Sequence, residues 1–379
     1  MGVTGRLRLH AVQAAFGDCL MVEAGSGRST RYILIDGGPS GTYTAHLRPL
    51  LARIGKDGRP IDLMVLSHID NDHVTGLLDL VGEMRNGTTV ATKPGLPKIT
   101  RLWHNSFAQA IGSAELEPVV RQALASAGEV GIGMPALAMV MRGVGEGDAL
   151  RAAALALKIP INDGFRDQHV LVGAKPLVLD DLAIHVVGPS ESSLADLRAI
   201  WVKWLAQHRP RGIAGEGPLA VAADRSVPNL SSIVMLCLMG GRSLLLTGDA
   251  RGDHILDGMR AARLLDKDGR RHVSVLKMPH HGSARNANRE FLSTVTADVY
   301  VFSADGRYGN PDHETLVDVV TLAHETGRKV ELAMTNKTPA SNKLLKTHPP
   351  KKFGYTVRLL APSESVLTVD VASSGRAEA

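Results

Sequence analysis

Four side chains of metal-binding type crowd into six consecutive residues, His68-Ile69-Asp70-Asn71-Asp72-His73. Two imidazoles and two carboxylates at this density suit zinc, manganese or iron, and one carboxylate can bridge two such ions. The chemistry on offer is hydrolysis by a water that a cation has made acidic. On extended backbone, residues 68, 70 and 72 project to one side, and His73 joins them where the chain turns into a helix. A polar turn with helix-capping aspartates is the plainer account. Capping, however, uses one Asp and leaves the second Asp and both His unexplained.

Three more polar clusters follow apolar runs. In LLLTGDA, Gly248 permits a sharp bend that presents Asp249 at a strand tip, where it would supply the bridging carboxylate. In VLKMPHHGS, the adjacent His280 and His281 must point differently, so one suits a metal and the other the substrate, as a donor to a leaving oxygen. Gly282 and Ser283 would let a phosphate approach the backbone closely. In GNPDHE, Asn310 and Asp312 are candidates for substrate contact. Asp312 or His313 either completes the site, or Asp312 caps the next helix with Glu314 in its first turn. The expected metal set is therefore His68, Asp70, Asp72, His73, Asp249 and His280, with Asp72, His280 and His281 catalytic and Ser283, Asn310 and Asp312 at the substrate.

These clusters span residues 68 to 313, so only a fold that converges distant loops can make them one site. The elements to do this are legible. Period-two and β-rich runs predict strands at 6–13, 19–25, 30–36 and 61–67, with a helix over 43–54 and another starting in the 68–73 loop. From about 90 to 228 the pattern becomes helical (108–127, 147–157, 193–208), with a β-like stretch at 177–187 and a Gly/Pro/Arg-rich loop at 209–228. That stretch reads as an insertion or cap within one domain spanning 1–379. Afterwards a hairpin turning at Gly240-Gly241 is expected. It leads into alternating helices (252–265, 288–295, 313–326) and strands (273–278, 298–303, 330–335), then two closing strands at 354–360 and 365–371. Two β-rich halves with helices imply a helix-sheet-sheet-helix sandwich.

Composition bounds the rest. The 379 residues are 44% hydrophobic but only 4% aromatic, so the core rests on Leu, Val, Ile and Ala. The net charge of +5 accommodates an anionic substrate. Cys19 and Cys237 lie in strand-like runs and read as buried free thiols. The first ten residues lack the apolar core of a signal peptide, and no run reaches the ~18 apolar residues of a membrane span, so a cytoplasmic setting is expected.

Taken together, the motifs resemble the metallo-β-lactamase superfamily. HIDNDH is similar to its HxHxDH motif, with Asp70 where the middle His usually stands. With FGDCLMVEAG, YILIDGG, NLSSIVMLCL, LLLTGDA, VLKMPHHGS and RYGNPDHETL, it looks most like the metallo-β-lactamase domain of ComEC-type DNA-uptake proteins, over residues 7–85 and 229–320. The resemblance implies an α/β, αββα sandwich with a helical insertion. It also implies a centre of one or two divalent ions (zinc or manganese, with magnesium also compatible) and hydrolysis of phosphodiesters, nucleic acids included. The chain departs from the pattern in two places. No clear His fills the third-motif position, where Asn229 lies and His169 and His185 are the alternatives, and GHPH reads GNPD.

The expected function is thus a metal-dependent phosphodiesterase or nuclease acting through an activated water on DNA or RNA. The alternatives are a small-ester hydrolase (a phosphorylcholine ester, cyclic nucleotide or lactone) and a metal-poor regulatory module. Lys337, Lys343, Lys346, Lys351, Lys352 and Arg358, with Phe353 and Tyr355 between them, form either a groove for a single nucleic-acid strand or a solvated basic loop.

Overall fold

Each expected strand in the first 70 residues forms because its apolar residues alternate between two buried faces. The structure is a computed structural model describing residues 5–87, 95–106, 135–207 and 231–373. Strands β1 (Arg6–Val12), β2 (Leu20–Gly25), β3 (Arg31–Ile35), β4 (Leu63–Val65) and β5 (Leu102–Trp103) make one sheet, closed at its far edge by β14 (Val366–Asp370) in the order β14-β1-β2-β3-β4-β5. The second sheet runs β13-β12-β11-β10-β9-β8-β7-β6. Its strands are β6 (Leu177–Leu179), β7 (Leu182–Gly188), β8 (Val234–Met239), β9 (Arg242–Leu246), β10 (Arg271–Lys277), β11 (Val295–Phe302), β12 (Val330–Met334) and β13 (Tyr355–Leu359). From β9 to β13 neighbouring strands are parallel, as are β3, β4 and β5.

Layering follows from the period-two rule. Leu20, Val22, Ile33, Leu63 and Val65 meet Met235, Leu244, Leu246, Val275 and Val301 in the layer between the sheets. Their neighbours Met21, Leu34 and Met64 face the other way. There they meet α1 (Arg48–Lys56), α2 (Asn71–Gly87) and α3 (Pro135–Ala156) through Leu51, Val74, Leu77 and Leu150. On the opposite outer face Leu245, Leu276, Tyr300 and Phe302 pack under α5 (Gly252–Ala261), α6 (Arg289–Thr294) and α7 (His313–Glu325), through Ile255, Phe291, Leu316 and Val320. A further helix, α4 (Glu191–Gln207), follows β7. The result is the helix-sheet-sheet-helix order expected from the sequence. Cys19 and Cys237 are both buried free thiols. No helix among the described residues is long and apolar enough to cross a membrane.

Some expectations differ in detail. Within the 90–228 stretch, β5 lies at the edge of the first sheet and β6 and β7 at the edge of the second. The β-like run 177–187 is a hairpin turning at Asp180, whose φ is +52°. Expected helix 108–127 and loop 209–228 lie outside the described residues. The basic stretch after β12 holds two helices, α8 (Pro339–Thr347) and α9 (Pro350–Phe353). Thr338 caps α8 through reciprocal bonds with Ser341, and proline starts each helix, signals that the run of lysines masks.

Convergence depends on a glycine contact. The Gly37 N–H donates to the His73 carbonyl (2.7 Å) and the Gly76 N–H to the Gly38 carbonyl (3.0 Å), so α2 starts against the loop leaving β3. A Cβ on Gly76 would lie 2.7 Å from the Gly37 carbonyl carbon, and backbone there cannot rotate aside. Gly76→Ala is expected to destabilise the fold by about 1–3 kcal/mol through this overpacking. The urea midpoint measures it, and a midpoint equal to wild type would show that α2 can shift outward at no cost.

Candidate metal centre

The loops that carry the polar clusters leave one edge of the sandwich. Asp36 follows β3, Ser67 and His68 follow β4, Asp249 follows β9, His280 and His281 follow β10, and Ser303 follows β11. Asp18 reaches the same edge from the start of β2, which pairs antiparallel to β3 with Leu20 opposite Ile35. Carboxyl ends of parallel strands are where open α/β sheets place ligands.

Asp249 lies at the middle. Its Oδ2 is 3.7 Å from His68 Nε2, 3.5 Å from His280 Nε2 and 3.6 Å from His281 Nε2, and its Oδ1 is 3.5 Å from His73 Nε2. Asp70 approaches His68 Nε2 at 3.6 Å, and Asp72 approaches His281 Nε2 at 3.5 Å and His73 Nε2 at 3.9 Å. These separations are too long for good hydrogen bonds. They suit atoms that share a cation, since two ligands each ~2.1 Å from a tetrahedral ion sit about 3.4 Å apart.

The outer nitrogens tell the same story. His73 Nδ1 is 2.8 Å from Asp36 Oδ2, an atom that only accepts, so Nδ1 carries the proton. His281 Nδ1 donates to the Ser303 carbonyl (3.0 Å). His68 Nδ1 donates to Ser67 Oγ (3.1 Å), which itself donates to Asp36 Oδ2 (2.6 Å). His280 Nδ1 donates to Asn286 Oδ1 (2.9 Å), whose amide nitrogen donates to the Asp249 carbonyl (2.9 Å). Each ring is thereby turned so that its Nε2 faces Asp249, the arrangement that orients metal-ligating histidines. The Nε2 atoms of His68, His73 and His281 and Oδ1 of Asp249 are buried without any hydrogen-bond partner, an arrangement that costs free energy unless something else binds them. This donor set fits divalent ions. His68, His73 and Asp249 form one ligand group, and Asp72, His73 and His281 form a second.

Charge favours a cation too. Burial opposes the ionised form of Asp249, yet His281, His280, His73 and His68 hold it well below the usual carboxylate range. Burial likewise opposes a charged His281, but Asp249 and Asp18 raise it to about 10, and His73 is raised well above its usual value by Asp249, Asp36 and Asp72 against the same penalty. Asp72 stays ionised, its burial outweighed by His73 and His281.

Of the expected ligands, His68, Asp70, Asp72, His73, Asp249 and His280 all face this point. Of the two histidines expected to be catalytic, His281 is the more deeply buried and belongs to the ligand groups, whereas His280 opens to solvent with 25% of its side chain. His280 and His281 both have positive φ, 46° and 57°, a conformation that costs non-glycine residues about 1–2 kcal/mol each. The loop is held against that strain by residues expected at the substrate. Asn310 Nδ2 donates to the His280 carbonyl (3.1 Å), Asp312 Oδ2 accepts from the Ala284 N–H (2.8 Å), and Ser283, buried, donates its N–H to the His280 carbonyl (2.9 Å). His313 does not complete the site, because its ring lies near His348 and Lys343 of α8. His169 and His185 belong to none of the ligand groups among the described residues, and Asn229 lies outside them.

The basic-groove expectation is corrected in part. Arg358 pairs with Glu331 (2.7 Å), Tyr355 is buried with its hydroxyl on the His348 carbonyl, and Phe353 packs between His324 and His348. The five lysines are exposed, but no aromatic ring among them is presented for stacking.

Sequence reading passed over the ring of groups behind the ligands: Asp18, Asp36, Ser67, Lys277, Asn286 and Ser303. Lys277 is the clearest signal. It sits in an apolar strand, VLKMP, is fully buried, and donates to Asp18 Oδ2 (2.6 Å). A charge placed in such a run requires a partner.

Residues 13–151 match the family model of the metallo-beta-lactamase superfamily. That match takes in the first sheet from β2 onward and the 68–73 loop. Among solved structures it is similar to the metallo-beta-lactamase fold protein YhfI from Bacillus subtilis, at 12% identity and a TM-score of 0.39 over 96% of this chain and 99% of that one. It is also similar to a long form RNase Z from yeast, at 11% identity and a TM-score of 0.38, covering 96% of this chain and 41% of the yeast chain. No curated protein sequence gives a significant match.

Two outcomes are expected. Lys277→Met should destabilise the protein by about 3–5 kcal/mol, because it leaves Asp18 charged and buried, and Asp18→Asn added to it should restore most of the loss. Denaturant unfolding of the single and double variants checks this. Because His281 titrates near pH 10 in the protein without metal, it holds a proton at neutral pH that a metal must displace. Zinc uptake by metal-stripped protein should therefore release protons at pH 7 and tighten as pH rises. Calorimetry in two buffers of different ionisation enthalpy measures the release, and equal heats would contradict it.

Proposed function

We propose that this protein is a metal-dependent phosphodiesterase that hydrolyses nucleic acid, with the centre around Asp249 as its active site. The observation that carries the reading is the convergence of buried, partnerless Nε2 and carboxylate atoms on one point at the sheet edge. Three imidazoles with three carboxylates favour zinc or manganese over magnesium, which prefers oxygen ligands. His68, Asp70, Asp72, His73, Asp249 and His281 would hold one or two ions. When bound, such ions lower the pKa of water toward neutrality and offset the charge that develops on phosphate oxygens.

The residues of this chain divide the remaining work. Asp72 is ionised and has 24% of its side chain exposed, so it can orient an attacking water and accept its proton. His280 stands at the open side, its ring fixed by Asn286, and suits proton donation to the leaving oxygen. Asp36 and the Ser303 carbonyl keep His73 and His281 in the tautomer that presents Nε2. The net charge of +5 and the exposed lysines of α8 and α9 favour a polyanion as the substrate.

The test is a panel of bis(p-nitrophenyl) phosphate, single-stranded DNA and RNA with zinc- or manganese-loaded protein. Asp72→Ala is expected to lower kcat by about 10²–10⁴ while the protein remains folded by circular dichroism. Equal turnover by the variant would remove Asp72 from the reaction, and hydrolysis of carboxylic esters alone would overturn the phosphodiester assignment.

A further inference from the structure

The loop that steadies His280 has a second half. Residues 303–312 leave β11 and end on Asn310 and Asp312, which grip the 280–284 loop. The tip that precedes them carries Arg307 and Tyr308. Tyr308 is 59% exposed, among the most exposed large apolar side chains among the described residues. Its ring meets Phe16 edge-on, with centroids 5.0 Å apart and an interplanar angle of 87°. The guanidinium carbon of Arg307 lies 4.8 Å from the Phe16 ring centroid and its Nε 3.9 Å from Asp305 Oδ2, while 57% of the side chain remains exposed.

Phe16 ties this cluster to the metal centre. The next residue, Gly17, packs so closely on Asp72 that a Cβ there would lie 2.9 Å from the Asp72 Cβ. The Gly17 carbonyl accepts from Ser303 Oγ (2.6 Å), and the Asp18 N–H donates to the Asp72 carbonyl (3.2 Å). The platform is firm beneath. Gln13 Oε1 accepts from the Ala15 N–H (3.1 Å), and Gln13 Nε2 donates to Asn336 Oδ1 (2.8 Å), beside the exposed Lys337. Phe16 is thus one residue from the Gly17–Asp72 contact, and Tyr308 is two residues from Asn310, which bonds the His280 carbonyl.

We infer that Phe16, Arg307 and Tyr308 form a subsite for a nucleotide next to the scissile phosphate, with an unpaired base stacking on Tyr308 and a flanking phosphate held by Arg307. The assignment rests on the phosphodiesterase reading for its place in catalysis. Stacking on an exposed ring with a neighbouring cation is how single strands are held without sequence preference. Bases in a duplex are already stacked on each other, so the subsite selects single-stranded substrate.

The experiment measures binding apart from turnover. Fluorescein-labelled oligothymidylate is titrated with full-length protein in EDTA and followed by anisotropy. Tyr308→Ala and Arg307→Ala are each expected to weaken binding by about tenfold, the scale of one lost base stack, with Tyr308→Phe close to wild type. On metal-loaded protein the same alanine variants should raise KM for the oligonucleotide and leave kcat, and turnover of methyl p-nitrophenyl phosphate, unchanged. Unaltered affinity in Tyr308→Ala overturns the subsite whatever the enzyme cleaves. Weakened binding by the variants, with no cleavage by wild type under any divalent metal, supports the subsite and overturns the hydrolytic reading instead.

Discussion

Negative charge buried at one sheet edge is the constraint around which this protein is arranged. Asp18, Asp36 and Asp249 are almost wholly removed from water, and Asp72 stands beside them. Carboxylates so placed repel one another and lack hydration, so each requires a positive or donating partner. Lys277 answers Asp18, and Ser67 with His73 answers Asp36. Asp249 is met by the Nε2 atoms of four imidazoles at 3.5–3.7 Å, a geometry that a divalent ion between them would satisfy.

Two backbone features make that arrangement reachable. Glycines at 17, 37 and 76 let the loop before β2, the loop after β3 and the start of α2 approach without side chains between them. The left-handed conformations of His280 and His281 send neighbouring rings toward the same carboxylate from different directions. The hydrogen bonds from Asn310 and to Asp312 offset the strain of that turn. Residues that look like substrate contacts in the sequence thus act by shaping the loop that carries the ligands, while the tip beyond them offers Arg307 and Tyr308 to solvent.

Much of the site was legible because its first part is local. Residues 68–73 follow a strand and open a helix, so their spacing alone brings ligand types to one face. The ends of β9 and β10 announced Asp249 and the histidine pair through apolar runs that stop at polar residues. Local patterning could not rank His280 against His281, since that depends on Asn286 and on Ser303, 6 and 22 residues away. It could not recognise the α8–α9 helices beneath a run of lysines either, because charge there reports solvent exposure and not backbone conformation.

By itself, the sequence determined the candidate ligand types, and through periodicities of two and 3.6 residues the alternation that buries both faces of each sheet and the order of the layers. Tertiary structure decided which groups stand behind the ligands and which face the solvent. Lys277 and Asp18 meet across 259 positions of chain. Only the packing of one sheet on the other, a property of many apolar residues at once, brings such a pair within a hydrogen bond.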